Sequence, residues 1–549
     1  MIGIIKYIGI SNNGLAFAKV IGADGTEYYF DSRALDINRM SDFQSGEIIS
    51  FDSTIGNKIL KVSKFYQSSS NNNIKNQDEF LNKIEHWSIE ATNENGDYFY
   101  SVKEVDKIKD GQVLYVIGRK GTGKSAIVKN LLHSNKGAEH SLKMSFKSFP
   151  FNLLYECDDS DYVQPNQYIS IWQLIIYRQL ATMLINSNEI DKKLKEKLKK
   201  CLNASDIKTN KLIKKIDEFS IGVSVLGNGF DIGFSKAKDD IAWTVQLEMF
   251  KEILKPAVLN DKYFLLFDEL DEDYKDFIDD KERKRYISMI TSLFKAIQYI
   301  KQTVSTTNIK PIVFLRTDIY NQLTDADKNK WSEYLLELEW NLDKIKDMLA
   351  YRIAKTYDSN APVEDLVFEN EFNKIFSVKS ISTGNRKSNH MSVFSYMARS
   401  TQWRPRDFIK YIKICVEETR RRHLNYVTSD IIKLADSKFS DYLKQELIDE
   451  IFPVLPDIDK ILPIFSAIRK QSFNPNIFIE EYHKEVSKNA IQDIGAENVL
   501  GILFNYNVIG NVPSMKGQYL FKFSYADARF NLKENIVLHR GLYKTLQIF

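Results

Sequence analysis

Cysteine is scarce in this chain of 549 residues: Cys157, Cys201 and Cys415 are its only three, and they lie far apart in sequence. That spacing fits neither a disulfide framework nor a zinc ligand set, and it suits a reducing cytoplasm. Long hydrophobic runs are missing too. No apolar stretch reaches the ~18 residues of a membrane span, so none is expected to cross a bilayer. The opening MIGIIKYIGI is apolar but short, has no small-residue cleavage site and runs into SNNG, so it reads as a strand and not a signal peptide. An excess of one charge is also absent. The formal net charge is +3, too small to announce nucleic acid by itself, so any such binding must come from a local patch. Nuclease, protease and deaminase motifs are lacking, which leaves any destructive activity to a partner.

What is present begins with GQVLYVIGRKGTGKSAIVKN, residues 111–130. Val113–Ile117 reads as a buried parallel strand, and the segment after Ser125 as an amphipathic helix. Between them Gly118-Arg119-Lys120-Gly121-Thr122-Gly123-Lys124-Ser125 matches G-x-x-x-x-G-K-[ST] in full. The glycines let the backbone curl so that its N–H groups, through to Ala126, face a phosphate chain, and the helix N-terminus adds to that field. Lys124 is expected at the β- and γ-phosphates and the Ser125 hydroxyl on Mg2+. This is read as a nucleotide site.

A second segment completes the chemistry. Tyr263-Phe-Leu-Leu-Phe-Asp-Glu-Leu-Asp271 places Asp268 at the carboxyl end of a buried strand, where open α/β sheets bind ligands. Asp268 would hold Mg2+ through water, and Glu269 would orient or deprotonate the attacking water. Asp271, Glu272 and Asp273 continue the acidic run into a loop. Downstream, the strand Lys310-Pro-Ile-Val-Phe-Leu-Arg-Thr-Asp318 ends in polar residues. Arg316 or Thr317 there would feel the γ-phosphate, or Arg316 would pair with the acidic loop. In Thr401-Gln-Trp-Arg-Pro-Arg-Asp-Phe-Ile-Lys410, Pro405 can open a long helix and leave Arg404 and Arg406 at its start. They fit either a second arginine sensor in a helical lid or ordinary pairing with lid carboxylates.

The expected organisation is multidomain α/β. Residues 1–66 form a small β-barrel of five short strands, 67–104 a polar linker (QSSSNNN) and lead-in helix, and 105–340 a P-loop core with a parallel sheet. Residues 341–445 form the helical lid and 446–549 a winged-helix-like domain with a two-stranded ribbon at Tyr519–Ser524 and Asn535–Leu538. Ile221–Phe234 reads as a hairpin insertion. The basic run Asp191–Lys200 is either a phosphate patch or a solvated helix face. The helix near Ala496–Asn507 has no Lys or Arg, which favours protein docking or autoinhibition over DNA reading.

Two resemblances follow from these segments. GIIKYIG, NGLAFAKV and DGTEYYFDSRAL in residues 1–64 resemble the first strand and the two RNA-binding motifs of the cold-shock domain, an OB-type barrel. That likeness implies stacking roles for Tyr7, Phe17 and Tyr29. The segment departs from the pattern at Leu15, Asp31 and Ser32, and it carries seven Lys/Arg against seven Asp/Glu, so nucleic-acid binding and protein docking both stay open. GRKGTGKS, FDELD, FLRTD and RPRDF together resemble prokaryotic P-loop ATPases of the KAP/STAND-like (ASCE) group. The resemblance implies an ASCE core, a helical lid, a winged helix, ATP and Mg2+ as ligands, a cytoplasmic homo-oligomer and a role in signalling or antiviral defence with a separate protein effector. No repeat array follows the wing, and a cold-shock-like barrel is not a usual module of that group. The expected activity is ATP hydrolysis driving a switch or assembly platform. The alternative is a nucleic-acid-stimulated loader that grips DNA or RNA through barrel and wing.

Overall fold

The computed structural model describes residues 2–10, 16–22, 26–35, 43, 48–64, 70–90, 98–102, 104–133, 138–147, 149, 151–157, 163, 166–203, 212, 214–215, 220–222, 242–271, 280–303, 308–364, 366–383, 390–513 and 519–548. The hairpin expected at 221–234, beyond Gly222, and Glu272 and Asp273 lie outside them. The chain forms two compact units. One comprises residues 1–86, 369–399 and 412–435; the other comprises 87–368, 400–411 and 436–549. Among the described residues no helix is long and apolar enough to cross a membrane.

The first unit begins with five strands, β1 (Ile2–Ile10), β2 (Ala16–Gly22), β3 (Glu27–Asp31), β4 (Ile48–Ile55) and β5 (Lys58–Lys64). They close into a barrel in the order β1-β2-β3-β5-β4, with β1 also pairing β4. The sheet is mixed, because β3 and β5 run parallel. Period-2 alternation explains the interior. Ala18, Val20, Tyr28, Phe30, Ile49, Phe51 and Ile59 point inward into one cluster, while Tyr7, Lys19 and Tyr29 face out. A helix over Ser70–Glu85 follows, so helical structure begins inside the polar QSSSNNN stretch that reads as linker. Later segments of the unit hold it. The Gln77 amide donates to the Lys374 and Asn425 carbonyls at 2.9 and 3.1 Å, and Arg420 pairs with Asp78 and Glu85.

The second unit is built on a six-stranded sheet: β6 (Tyr115–Ile117), β7 (Glu139–Ser145), β8 (Ser220–Gly222), β9 (Lys262–Asp268), β10 (Ile309–Leu315) and β11 (Leu335–Glu337). Its order is β11-β6-β10-β9-β7-β8, parallel except for β8. Such strands are covered on both faces, and successive side chains of β9 feed two different clusters. Tyr263, Leu265 and Phe267 join the buried helix Ile169–Asn186 on one side. Phe264 and Leu266 join Ile127 and Val128 of the helix Lys124–His133 on the other. Most side chains on both faces are therefore apolar, with Ser141 and Lys143 of β7 and Lys310 of β10 as buried polar exceptions. The basic helix Lys192–Asn203 turns Leu198, Cys201 and Leu202 inward.

The C-terminal part differs from expectation at its ribbon. Three strands pair there, Ser472–Phe473, Asn535–Leu538 and Ile509–Val512, with the middle one bridging the others. Tyr519–Ser524 supplies a single bridge, Leu520 to Asn511, instead of a strand. The chain turns at this point because Asn507 Oδ1 takes the Phe523 N–H at 2.8 Å and the Phe521 and Phe523 rings pack edge-on to buried His539. The three cysteines are buried thiols.

Candidate nucleotide site

The loop between β6 and the helix Lys124–His133 has the conformation its glycines permit. Gly121 and Gly123 sit at φ +83° and +99°, in the left-handed region that a side chain disfavours. The Gly118 N–H donates to Leu315 O of β10, the strand lying between β6 and β9. Thr122 Oγ1 donates to Arg119 O at 2.8 Å, and the Trp340 indole donates to Thr122 O at 2.9 Å, pinning the turn. Lys124 bends back over the loop, its ammonium 2.8 Å from Gly118 O and 3.2 Å from Arg119 O. Burial lowers its pKa, against the opposing pull of Asp271 and Asp268.

Lys120, Gly121, Thr122, Gly123, Lys124, Ser125 and Ala126 line a cavity of about 820 Å3, a size suited to a small-molecule ligand. Asp268, Glu269 and Asp271 form its acidic side. Phe99, Val102, Ile127, Met348 and Ile409 supply apolar wall, and Tyr98 and Tyr100 add rings at the same end of the sequence. The lead-in residues 98–102 carry no motif, so their part in the site was not legible in advance.

Asp268 closes β9 almost fully buried, and desolvation raises its pKa while Lys143 pulls the other way. Glu269 follows with φ +62°, an unusual backbone for a residue with a Cβ, at the point where the strand breaks. Its Oε2 accepts from Ser145 Oγ. Lys143 Nζ lies 3.1 Å from Asp268 Oδ2 and 3.2 Å from Glu269 Oε2. Both contacts follow from the parallel register, which sets Ser145 beside Asp268. Sequence reasoning missed Lys143 and Ser145. A lysine between Leu142 and Met144 in a core strand was the available signal.

Arg316 caps a short helix and is tied to Asp318 at 3.0 and 2.6 Å, with Asp271 at 3.8 Å. Those carboxylates more than offset its burial and hold its pKa well up. Thr317 Oγ1 is buried and makes no hydrogen bond to any described residue. Arg404 is buried between Asp407 (Nε to both oxygens at 3.1 Å) and Glu450 at 3.2 Å, and it approaches Lys120 O at 3.5 Å. Arg406 lines the cavity, pairing Glu446 at 3.3 Å and Glu90 at 2.9 Å, and a Cβ on Gly121 would come within 3.3 Å of its own Cβ. Arg316, Thr317 and Arg404 do not contribute to the described cavity wall.

Arg119 ties the loop to the segment before Pro405, donating to Gln402 O at 2.8 Å, and burial pushes its pKa down to about 10. Gln402 Nε2 in turn donates to Tyr506 O at 3.3 Å, and the Tyr506 hydroxyl donates to Asp318 at 3.0 Å. A chain of polar contacts therefore runs from the glycine loop through the C-terminal part to the tip of β10. Ser125 and Asp268 line one cavity, a hydroxyl and a carboxylate of the kind Mg2+ takes, so the side chains fit that ion. In the first unit Tyr7 and Phe17 meet edge-on at 6.1 Å. Tyr7, Lys19 and Tyr29 stand in cross-strand register on β1, β2 and β3.

A family model described as the FunZ-associated C-terminal helical domain matches residues 343–448. No curated protein matches the sequence. Among solved structures, the chain is similar to a Walker-type ATPase, PABY2304, of Pyrococcus abyssi, with a TM-score of 0.34 and 10% identity over 82% of this chain and 95% of that one. It is similar to the ORC1 protein of Aeropyrum pernix in complex with DNA, with a TM-score of 0.33 and 11% identity over 81% and 90%. It is also similar to Cdc6p from Pyrobaculum aerophilum, at 0.29 and 10% over 81% and 89%.

Proposed function

We propose that the second unit binds ATP with Mg2+ and hydrolyses it, and that the protein works as a nucleotide-controlled switch or assembly platform. One observation carries this reading. A left-handed glycine loop ahead of a helix N-terminus faces, across one cavity, a carboxylate pair at the tip of a buried strand. In that arrangement the loop N–H groups and Lys124 bind the phosphates, and the apolar and aromatic wall takes the base. Ser125 and Asp268 would hold Mg2+, which when bound neutralises phosphate charge. Glu269 orients or deprotonates the attacking water. The switch is supported by the chain Arg119–Gln402–Tyr506–Asp318–Arg316, whose ends lie at the phosphate loop and beside the acidic loop. A ligand that binds two arrangements of that chain unequally shifts their populations.

The domain plan belongs to the same proposal: 1–66 an OB-type, cold-shock-like barrel, supported by its strand order, 67–104 the lead-in, 105–340 an ASCE core, 341–445 the lid and 446–549 a winged helix. So do a homo-oligomeric state, a protein effector, a cytoplasmic setting and a part in prokaryotic signalling or antiviral defence of the KAP/STAND-like kind. A second reading, a nucleic-acid-stimulated ATPase, is favoured by the exposure of Tyr7 (54%) and Tyr29 (46%) on either side of Lys19. The test is ATP hydrolysis by the wild type and Glu269→Gln, with and without single-stranded DNA or RNA. Turnover that depends on Glu269 and ignores the strand supports the switch. Stimulation by the strand moves the assignment to the second reading, and turnover unaffected by Glu269→Gln removes both.

A further inference from the structure

Lys143 is the one buried lysine whose described partners are both carboxylates of the proposed reaction. It stands in β7 between Leu142 and Met144, where a charge needs a strong local reason. Its Nζ lies 3.1 Å from Asp268 Oδ2 and 3.2 Å from Glu269 Oε2. Ser145, two residues on and so on the same face of the strand, donates its hydroxyl to the same Glu269 oxygen. The glutamate that would act on water is therefore held from the β7 side by a cation and a hydroxyl, on a backbone with φ +62°.

We propose that Lys143 is a tethered cation competing with the divalent metal for the Asp268–Glu269 pair, and a positioning residue that keeps Glu269 in a resting place until metal and nucleotide are seated. The inference rests on the ATPase reading and adds a control to it. Two adjacent carboxylates, one of them almost fully buried, repel each other, and the ammonium offsets that repulsion. A divalent ion bound through Asp268 brings a second cation close to Nζ in a setting where water screens little, so each disfavours the other. The coupling is reciprocal. Lys143 weakens metal binding, and bound metal loosens Lys143 from Glu269, whose oxygen is then open to water.

The test uses the full chain as wild type, Lys143→Met and Lys143→Arg. Mn2+ affinity is measured by electron paramagnetic resonance titration in the presence of ADP, and ADP affinity is measured separately in EDTA. Lys143→Met is expected to tighten Mn2+ about tenfold and leave ADP affinity in EDTA within about twofold, while Lys143→Arg stays close to wild type. Ser145→Ala, which removes one of the two described tethers on Glu269 without altering charge, is expected to leave Mn2+ affinity unchanged. Mn2+ binding that is unchanged or weaker in Lys143→Met overturns the proposal. If that variant loses ADP binding in EDTA, Lys143→Gln removes the charge while keeping a hydrogen-bond donor and carries the same expectation and the same refutation. Wild-type protein that binds no nucleotide overturns the ATPase reading itself. Nucleotide bound without a metal difference overturns only the role given to Lys143.

Discussion

The barrel and the six-stranded sheet place their candidate functional residues in opposite ways. In the barrel each strand has one dry face and one wet face, so alternation puts Tyr7, Lys19 and Tyr29 outside in one cross-strand row. In the sheet both faces are dry. Asp268, Glu269, Ser145 and Thr317 gather at the carboxyl ends of β9, β7 and β10, where the strands stop. A ligand on the barrel would lie on a surface already made by secondary structure. A ligand at the sheet meets groups drawn from several separate segments, which lets it sense their arrangement.

The largest expected effect tests the sheet's side of this contrast. Glu269→Gln should lower kcat by about 10²- to 10⁴-fold and preserve ATP binding, because a general base contributes on that scale. A matching loss of ATP affinity would show that Glu269 holds the site together and does not act on water. Next in size is packing. Phe267→Ala, buried one residue before Asp268, should cost about 3–5 kcal/mol in urea unfolding. Tyr29→Ala on the barrel's wet face should stay within about 0.5 kcal/mol. Equal costs would erase the distinction between dry and wet faces.

Acid separates the two units further. Burial pushes His539 down to about 4, with its Nε2 against Thr401 O and its Nδ1 accepting from the Gly541 N–H. The unfolded chain therefore binds that proton first, so stability falls as pH drops from about 6.5 towards 4. The loss should be about 2 kcal/mol between pH 7.5 and 5, and His539→Gln should flatten it. In the barrel, the hydrogen bonds from Arg33, opposed by desolvation, hold Asp31 well below the usual carboxylate range. That contribution is present above the unfolded value of 3.8 and is lost only at lower pH. A barrel signal that moves together with the His539 transition would contradict this ordering. The last test is on turnover itself. Replacing Tyr7, Phe17 and Tyr29 by Ala should abolish any stimulation of ATP hydrolysis by single strands, since stacking is worth about 1–3 kcal/mol per base. Stimulation that persists would take the nucleic-acid reading away from the barrel.

Legibility in the sequence followed the same contrast. The glycine loop was readable because all its parts lie within eight consecutive positions, and Gly121 and Gly123 take the left-handed φ that only glycine adopts freely. Asp268 and Glu269 were readable because an apolar run ends on them. Pairing of the arginines with carboxylates was open from the sequence, as an alternative to a sensor role, but the particular partners were not legible. The pairing of Arg316 with Asp318 and of Arg404 with Asp407 and Glu450 depends on which carboxylates the fold brings near. Tyr519–Ser524 looks like a strand by composition, yet the packing of Phe521 and Phe523 around His539 bends it into a turn.

By itself the sequence determined the five-stranded start, the strand–loop–helix turn at 113–133 and the acidic strand tip at 268–269. Each rests on local periodicity or on residues only a few positions apart, and backbone sterics act at that range. Tertiary structure alone decided that Lys143 would stand between Asp268 and Glu269, that Tyr506 would reach Asp318, and that residues 98–102 would wall the cavity. Those contacts join segments far apart in the chain. They are fixed by the register of β7 against β9 and by close packing, which no local pattern encodes.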